Sequence, residues 1–227
     1  MTLWALLGLN LVAACTVMLA AWVVHLILGK ASVADSFWGL GFPVIACVSA
    51  FAAQGDASRT GLILLLVLLW GGRLAWHITR RSMGQPEDRR YTDMRATHPQ
   101  TFWIRSLFTV FILQALIMWV VSLPVQLGIS AQRPQGLTWV DGVGLLVWSF
   151  GFFWEAVGDA QLARFKADPA NRGKILDKGL WRYTRHPNYF GETVMWWALY
   201  LIACQVPAGA LSFVGPLLLT FLLLRVS

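Results

Sequence analysis

Two pairs of charged residues stand four positions apart in stretches that are otherwise apolar. Arg73 and His77 lie in the string WGGRLAWH, and Glu155 and Asp159 lie in a run of Trp, Phe, Gly and Val. Four-residue spacing puts each pair on one face of a helix. Arg73, His77, Arg80 and Arg81 make a cationic stripe that suits an anion such as a phosphate, or snorkelling toward a membrane surface. The two carboxylates, with Lys166 further along their face, either accept hydrogen bonds from a polar cofactor or pair with those cations. Ionisable groups are costly inside a membrane span and usually face the bundle interior, a partner or a water-filled cavity.

The most informative string is LWRYTRHPNYFGE, Leu180 to Glu192. It sets Arg182, Arg185, His186, Asn188, Tyr189 and Glu192 immediately before an apolar run, with Pro187 near the helix start. A helix N-terminus offers free amide donors, and arginines beside it add fork-shaped phosphate donors, so the string reads as an anion site at a membrane surface. An interfacial anchor would need the Arg and Tyr but neither Asn188 nor Glu192. Asp35 opens another apolar stretch, DSFWGLGF, either as a helix cap or as an inward-facing acid. No HExxH, GKS, GxSxG or GxGxxG pattern occurs. Soluble-enzyme sites for zinc, nucleoside triphosphate, acyl transfer or a Rossmann dinucleotide are therefore unsupported. Cys15, Cys47 and Cys204 stand singly and imply no metal.

The elements that must position these residues are membrane helices. Of 227 residues, 57% are hydrophobic and only 13% charged, too little polar surface for a soluble domain. Apolar segments fall at Leu3 to Leu28, Val33 to Ala53, Gly61 to Ile78, Leu107 to Leu127, Val140 to Phe165, Phe190 to Cys204 and Ala208 to Leu224. They predict an all-α bundle of about seven transmembrane helices, with the sixth span the shortest. Pro43 falls inside the second and is expected to kink it. Fifteen of the 18 basic residues lie in the connections after the odd-numbered spans or at the far end. The positive-inside rule then sets the N-terminus outside and the long loops in the cytoplasm. The net charge of +7 is explained by those loops rather than by nucleic acid.

Taken together, the run from Glu155 through Asp159, Leu162 and Lys166, then Lys174, then Gly179 to Glu192, resembles the C-terminal half of membrane steroid 5-alpha-reductases, most closely their bacterial members. DSFWG and WGGRLAWH are similar to those members too, so the resemblance covers most of the chain as a single membrane reductase domain, residues 1–227. RHPNYFGE by itself is shared with isoprenylcysteine carboxyl methyltransferases and sterol reductases. The resemblance implies NADPH held at the cytoplasmic side, with Arg73, Glu155, Asp159, Lys166, Arg172, Lys174, Tyr183, Arg185, His186, Asn188 and Glu192 as cofactor-binding positions. It implies Trp38 and Trp70 at the substrate, and Asp35, His77 and Tyr91 as candidate catalytic acids. Asp35 would stand in for a family Glu, and Trp70 falls where a family Tyr is expected. It also implies a basic, aromatic tail after the last span, which is absent from a chain that stops at Ser227.

The expected activity is hydride transfer from NADPH to the carbon-carbon double bond of an enone, a 3-oxo-4-ene steroid or related lipid. The alternative is a methyltransferase using S-adenosylmethionine, of the isoprenylcysteine carboxyl methyltransferase type. The remaining expectations are a monomer in the bacterial inner membrane, among membrane lipids, with its active site open to the cytoplasm.

Overall fold

The computed structural model describes residues 1–226; Ser227, where the expected tail would begin, lies outside them. Every regular element among the described residues is helical. Six helices are long and apolar enough to cross a membrane. They are α1 (Leu3–Leu28), α2 (Val33–Ala52), α3 (Ala57–Ser82), α5 (Phe102–Val121), α7 (Trp139–Ala167) and α9 (Pro207–Arg225). Three shorter helices complete the chain: α4 (Arg89–Thr97), α6 (Leu123–Ser130) and α8 (Pro187–Ala203).

Local chemistry sets the ends. Thr2 caps α1, and Gly29 closes it in the left-handed conformation at φ 70°, which a residue without a Cβ adopts at little cost. Asp56 caps α3, and Thr138 with Asp141 forms a reciprocal capping box on α7. Pro187 and Pro207 occupy first turns, where the missing N–H is not needed. Pro43 remains inside α2. The α5 helix carries a π-helical turn at Leu107–Ile112, which apolar periodicity does not announce. Nor does it announce α4, a polar nine-residue helix in what the sequence presents as loop.

Two helix pairs approach backbone to backbone. A Cβ on Gly39 would lie 2.7 Å from the Ala75 nitrogen and 3.1 Å from the Gly71 oxygen, so α2 and α3 cross where only glycine fits. A Cβ on Gly151 would lie 2.7 Å from the Gly191 oxygen, which sets α7 against α8 in the same way. Around these crossings, buried Phe42, Trp70 and Trp196 meet edge to face or tilted at 4.8 to 5.3 Å, the preferred geometry for aromatic rings.

Candidate active site

The α3 and α7 helices are bridged twice, and the order of the bridges shows that they run parallel. Near the N-terminal ends, Arg59 Nε meets Asp141 at 3.2 Å. Fourteen residues on along both helices, about 21 Å by helical rise, Arg73 meets Glu155 and Asp159, the latter at 3.0 Å. The two carboxylates therefore pair with the third-span cation, the simpler of the two arrangements that their spacing allowed.

The second bridge is the core of the site. Glu155 also accepts from the Trp70 indole N–H at 2.9 Å, and Asp159 accepts from Asn188 Nδ2 at 3.2 Å. His77 Nε2 stands 3.8 Å from Asp159, and the Arg73 guanidinium lies over the Phe152 ring. Glu192, 8% exposed, comes in from α8 and makes no hydrogen bond among the described residues. Two buried atoms here lack partners among the described residues: Arg73 Nε and Asn188 Oδ1. Since Asn188 gives its amide N–H to a carboxylate, which has no proton to offer in return, the orphan is an acceptor by necessity.

These groups border a cavity of about 330 Å³. Its polar wall is Asp35, His77, Arg81, Arg90, Gln114, Glu155, Asp159, Asn188, Tyr189 and Glu192, and its apolar wall includes Trp38, Ile117, Leu219 and Leu222. Asp35 is held by two partners from α4: the Tyr91 hydroxyl donates to it at 2.8 Å and Arg90 at 3.0 Å. Burial, and then the negative Asp35, push the Tyr91 phenol well above its ordinary range. Arg90 is pushed up as well, chiefly by its hydrogen bond to Asp88, and remains a cation.

A second cavity, about 820 Å³, lies where the chain leaves α7. Lys166, Arg172, Lys174 and Arg185 line it with Leu162, Ile175 and Trp181. The two hollows share a helix face: Asp159 borders the first, and Leu162 and Lys166 border the second. Leu162 follows Asp159 by three positions, about 4.5 Å of helical rise.

Placement thus sorts the residues named from sequence. Asp35, His77, Trp38, Glu155, Asp159, Asn188 and Glu192 share the smaller cavity, with Arg73 directly behind its carboxylates. Lys166, Arg172, Lys174 and Arg185 share the larger. Trp70 is not a wall residue; it is buried in the aromatic core and spends its N–H on Glu155. Tyr91 is likewise behind the wall, holding Asp35, because its ring is 4% exposed. Tyr183 is 75% exposed and faces Trp154, apart from both cavities. His186 stacks on Tyr189 at 5.0 Å, a ring packed behind a wall residue. Arg90, Arg81 and Tyr189 border the cavity without having been singled out as site residues. Arg90 was read only as loop charge, Arg81 as the end of the cationic stripe that begins at Arg73, and Tyr189 as part of the LWRYTRHPNYFGE string.

A family described as protein of unknown function (DUF1295) matches residues 21–227. The chain belongs to the DUF1295 family. The matched stretch contains both cavities and both bridges between α3 and α7. The chain is also similar to a Schizosaccharomyces pombe protein described as uncharacterized protein C594.04c, at 28% identity over 201 residues, covering 78% of this chain and 54% of the relative. It therefore spans about half of that relative's length. No solved structure matches.

Proposed function

We propose that this DUF1295 protein is an NADPH-dependent membrane reductase of the steroid 5-alpha-reductase type, acting on the carbon-carbon double bond of a lipid-soluble enone. The observation that carries the reading is the pair of hollows on one face of α7, one predominantly basic and opening among loops, the other with one wall of charged and polar side chains and one of aliphatic ones. An elongated ligand with phosphates at one end and an uncharged ring at the other suits that sequence of surfaces.

The residues fit the cofactor. Lys166, Arg172, Lys174 and Arg185 give the cationic donors that phosphates need, and the forced acceptor Asn188 Oδ1 suits an amide N–H such as the nicotinamide's. Glu155 and Asp159 are fixed by Arg73, Trp70 and Asn188, so they hold their geometry without moving when a ligand arrives. NADPH, when bound, supplies the hydride.

The chain's own contribution is position and polarity. As the β carbon of an enone gains electrons, negative charge collects on the carbonyl oxygen, and a fixed donor in a dry site stabilises it strongly. Arg90 borders the cavity with a guanidinium held by Asp35 and Asp88, and it is better placed for that task than Tyr91, whose hydroxyl is already committed. His77 is the imidazole in the same cavity and the candidate source of the proton that completes the saturated ketone. The aliphatic residues of α9 and α5 give the lipid body of the substrate a matching wall.

In this reading α8 is the seventh span. Its 17 residues reach about 25 Å, a little short of the hydrocarbon thickness, and its glycine crossing with α7 ties it to a full-length neighbour. The basic loops lie in the cytoplasm, the N-terminus outside, and the host membrane is the bacterial inner membrane, where NADPH is accessible from the loop side.

The test is to incubate purified protein in detergent with NADPH and a 3-oxo-4-ene steroid and follow the reduced-nicotinamide absorbance. Steroid-dependent loss of that band is the expected result. No turnover and no NADPH binding, with S-adenosylmethionine bound instead, would establish the methyltransferase reading, whose cofactor has no phosphates to occupy the basic hollow.

A further inference from the structure

Between α3 and α5 the chain runs as a strap, residues 83–98, built around α4. It carries Arg90 to the wall of the smaller cavity. Five hydrogen bonds tie the strap to residues 29–35, at the joint between α1 and α2. Lys30 Nζ donates to the Gln85 carbonyl at 2.7 Å, the Ala31 N–H donates to the Glu87 carboxylate, and Arg95 donates to the Gly29 carbonyl at 2.8 Å. Arg90 and the Tyr91 hydroxyl supply the other two, both to Asp35.

Most of this hold is polar and wet. Tyr91 is buried and Met94 packs against the core, but the side chains of Arg89, Arg90 and Asp93 are all more exposed than covered. A segment with few buried apolar contacts and water-exposed hydrogen bonds opens at a lower free energy than the bundle beneath it. Among the strap's charged side chains Glu87 is the exception. Only 10% of it is exposed, and its carboxylate collects both the Ala31 N–H and, at 3.1 Å, the Arg95 guanidinium. Arg95 passes the hold on, to Gly29 on one side and over the Phe102 ring of α5, 4.5 Å away, on the other. Glu87 borders neither cavity.

We propose that Glu87 is a latch: it fastens the strap over the loop-side end of the smaller cavity, and its release lifts Arg90 off Asp35 and opens that end to water. Glu87 is therefore a positioning residue that acts through α4. Closure completes the polar wall with Arg90, and opening takes that cation away. The latch does not depend on the reductase reading, because its release is read without a ligand.

The test uses the full-length chain in detergent with Cys15, Cys47 and Cys204 replaced by Ala, and one thiol introduced at a time. Ile78→Cys stands on the wall of the smaller cavity. Ile175→Cys, at a position 87% exposed, and Ile202→Cys, at one fully buried, report free access and global unfolding. The probe is a charged methanethiosulfonate. In the otherwise unchanged protein, Ile78→Cys should react far more slowly than Ile175→Cys. Glu87→Ala should speed labelling at Ile78→Cys about tenfold, the effect of one lost charge-assisted hydrogen bond on an opening equilibrium, with Ile202→Cys unchanged. Glu87→Gln, which still accepts from the Ala31 N–H, should speed it less. An unchanged rate at Ile78→Cys in Glu87→Ala overturns the proposal. So does an equal rise at Ile202→Cys, which would make Glu87 a support of the whole fold, and so does an Ile78→Cys that reacts as fast as Ile175→Cys before the latch is touched.

Discussion

The two bridges between α3 and α7 use the same chemistry and are finished differently. At the first, Arg59 and Asp141 are each 1% exposed, and all three guanidinium nitrogens of Arg59 donate, to Asp141 and to the carbonyls of Pro134 and Gly136. Asp141 in turn accepts from Thr138 and Gln205. At the second, Arg73 serves two carboxylates with a third, Glu192, nearby, Arg73 Nε and Asn188 Oδ1 have no partner among the described residues, and a cavity adjoins. A closed network holds helices together; an open one in the same scaffold is a place for something else to bind.

The comparison breaks most visibly at the closed end. Asp141→Ala leaves Arg59 buried and uncompensated, which costs about 3–5 kcal/mol, so the melting temperature in detergent should drop sharply. Arg59→Met with Asp141→Leu removes both charges and should recover most of the loss. A single mutant that melts like the wild type would show that this bridge does not stabilise the fold.

At the open end the expected pattern reverses. Asn188→Ala or Glu192→Ala should weaken NADPH binding about tenfold while shifting the melting temperature by no more than about 2 °C. Unchanged affinity in both variants would remove the cofactor assignment. Arg172→Ala and Lys174→Ala, in the solvated hollow, should each cost about two- to fivefold in NADPH affinity. That difference should shrink as salt is raised, and a salt-independent loss would argue against phosphate contact.

The smallest effect concerns Tyr91. Its phenol is held protonated in the fold by burial, so its contribution to stability is complete below pH 10, the ordinary tyrosine value, and is lost as the pH rises through the higher folded value. Comparing phenolate absorbance in wild type and Tyr91→Phe should show one tyrosine titrating late, and only on unfolding. A normal titration would place Tyr91 in contact with water.

Much of this architecture was legible in the residues. The α1 helix matches its apolar segment end to end, and the ends of α2, α7 and α8 differ from theirs by at most three residues, because hydropathy alone defines such segments. Charged residues in apolar surroundings pointed to the Arg73 cluster for the same reason. The Arg59 bridge was not legible: Arg59 lies beside a loop, Asp141 looks like a helix cap, and 82 positions separate them. Arg90 was hidden among other basic loop residues, since the short α4 helix that aims it shows only Tyr91 and Met94 to the core, too few to stand out in a polar stretch. Gln114, uncharged, left no trace at all.

The glycine crossings carry a mechanical implication. Where two backbones touch with no side chain between them, neither helix can slide or swing without collision, so α2 with α3, and α7 with α8, behave as welded pairs. The wall formed by Ile117 of α5 with Leu219 and Leu222 of α9 is closed by aliphatic side chains rather than by backbone, and side chains can change rotamer where backbones cannot part. In the proposed reading, a lipid moving between the surrounding oil and the interior meets its least resisted path there, where side chains rather than backbones stand in the way.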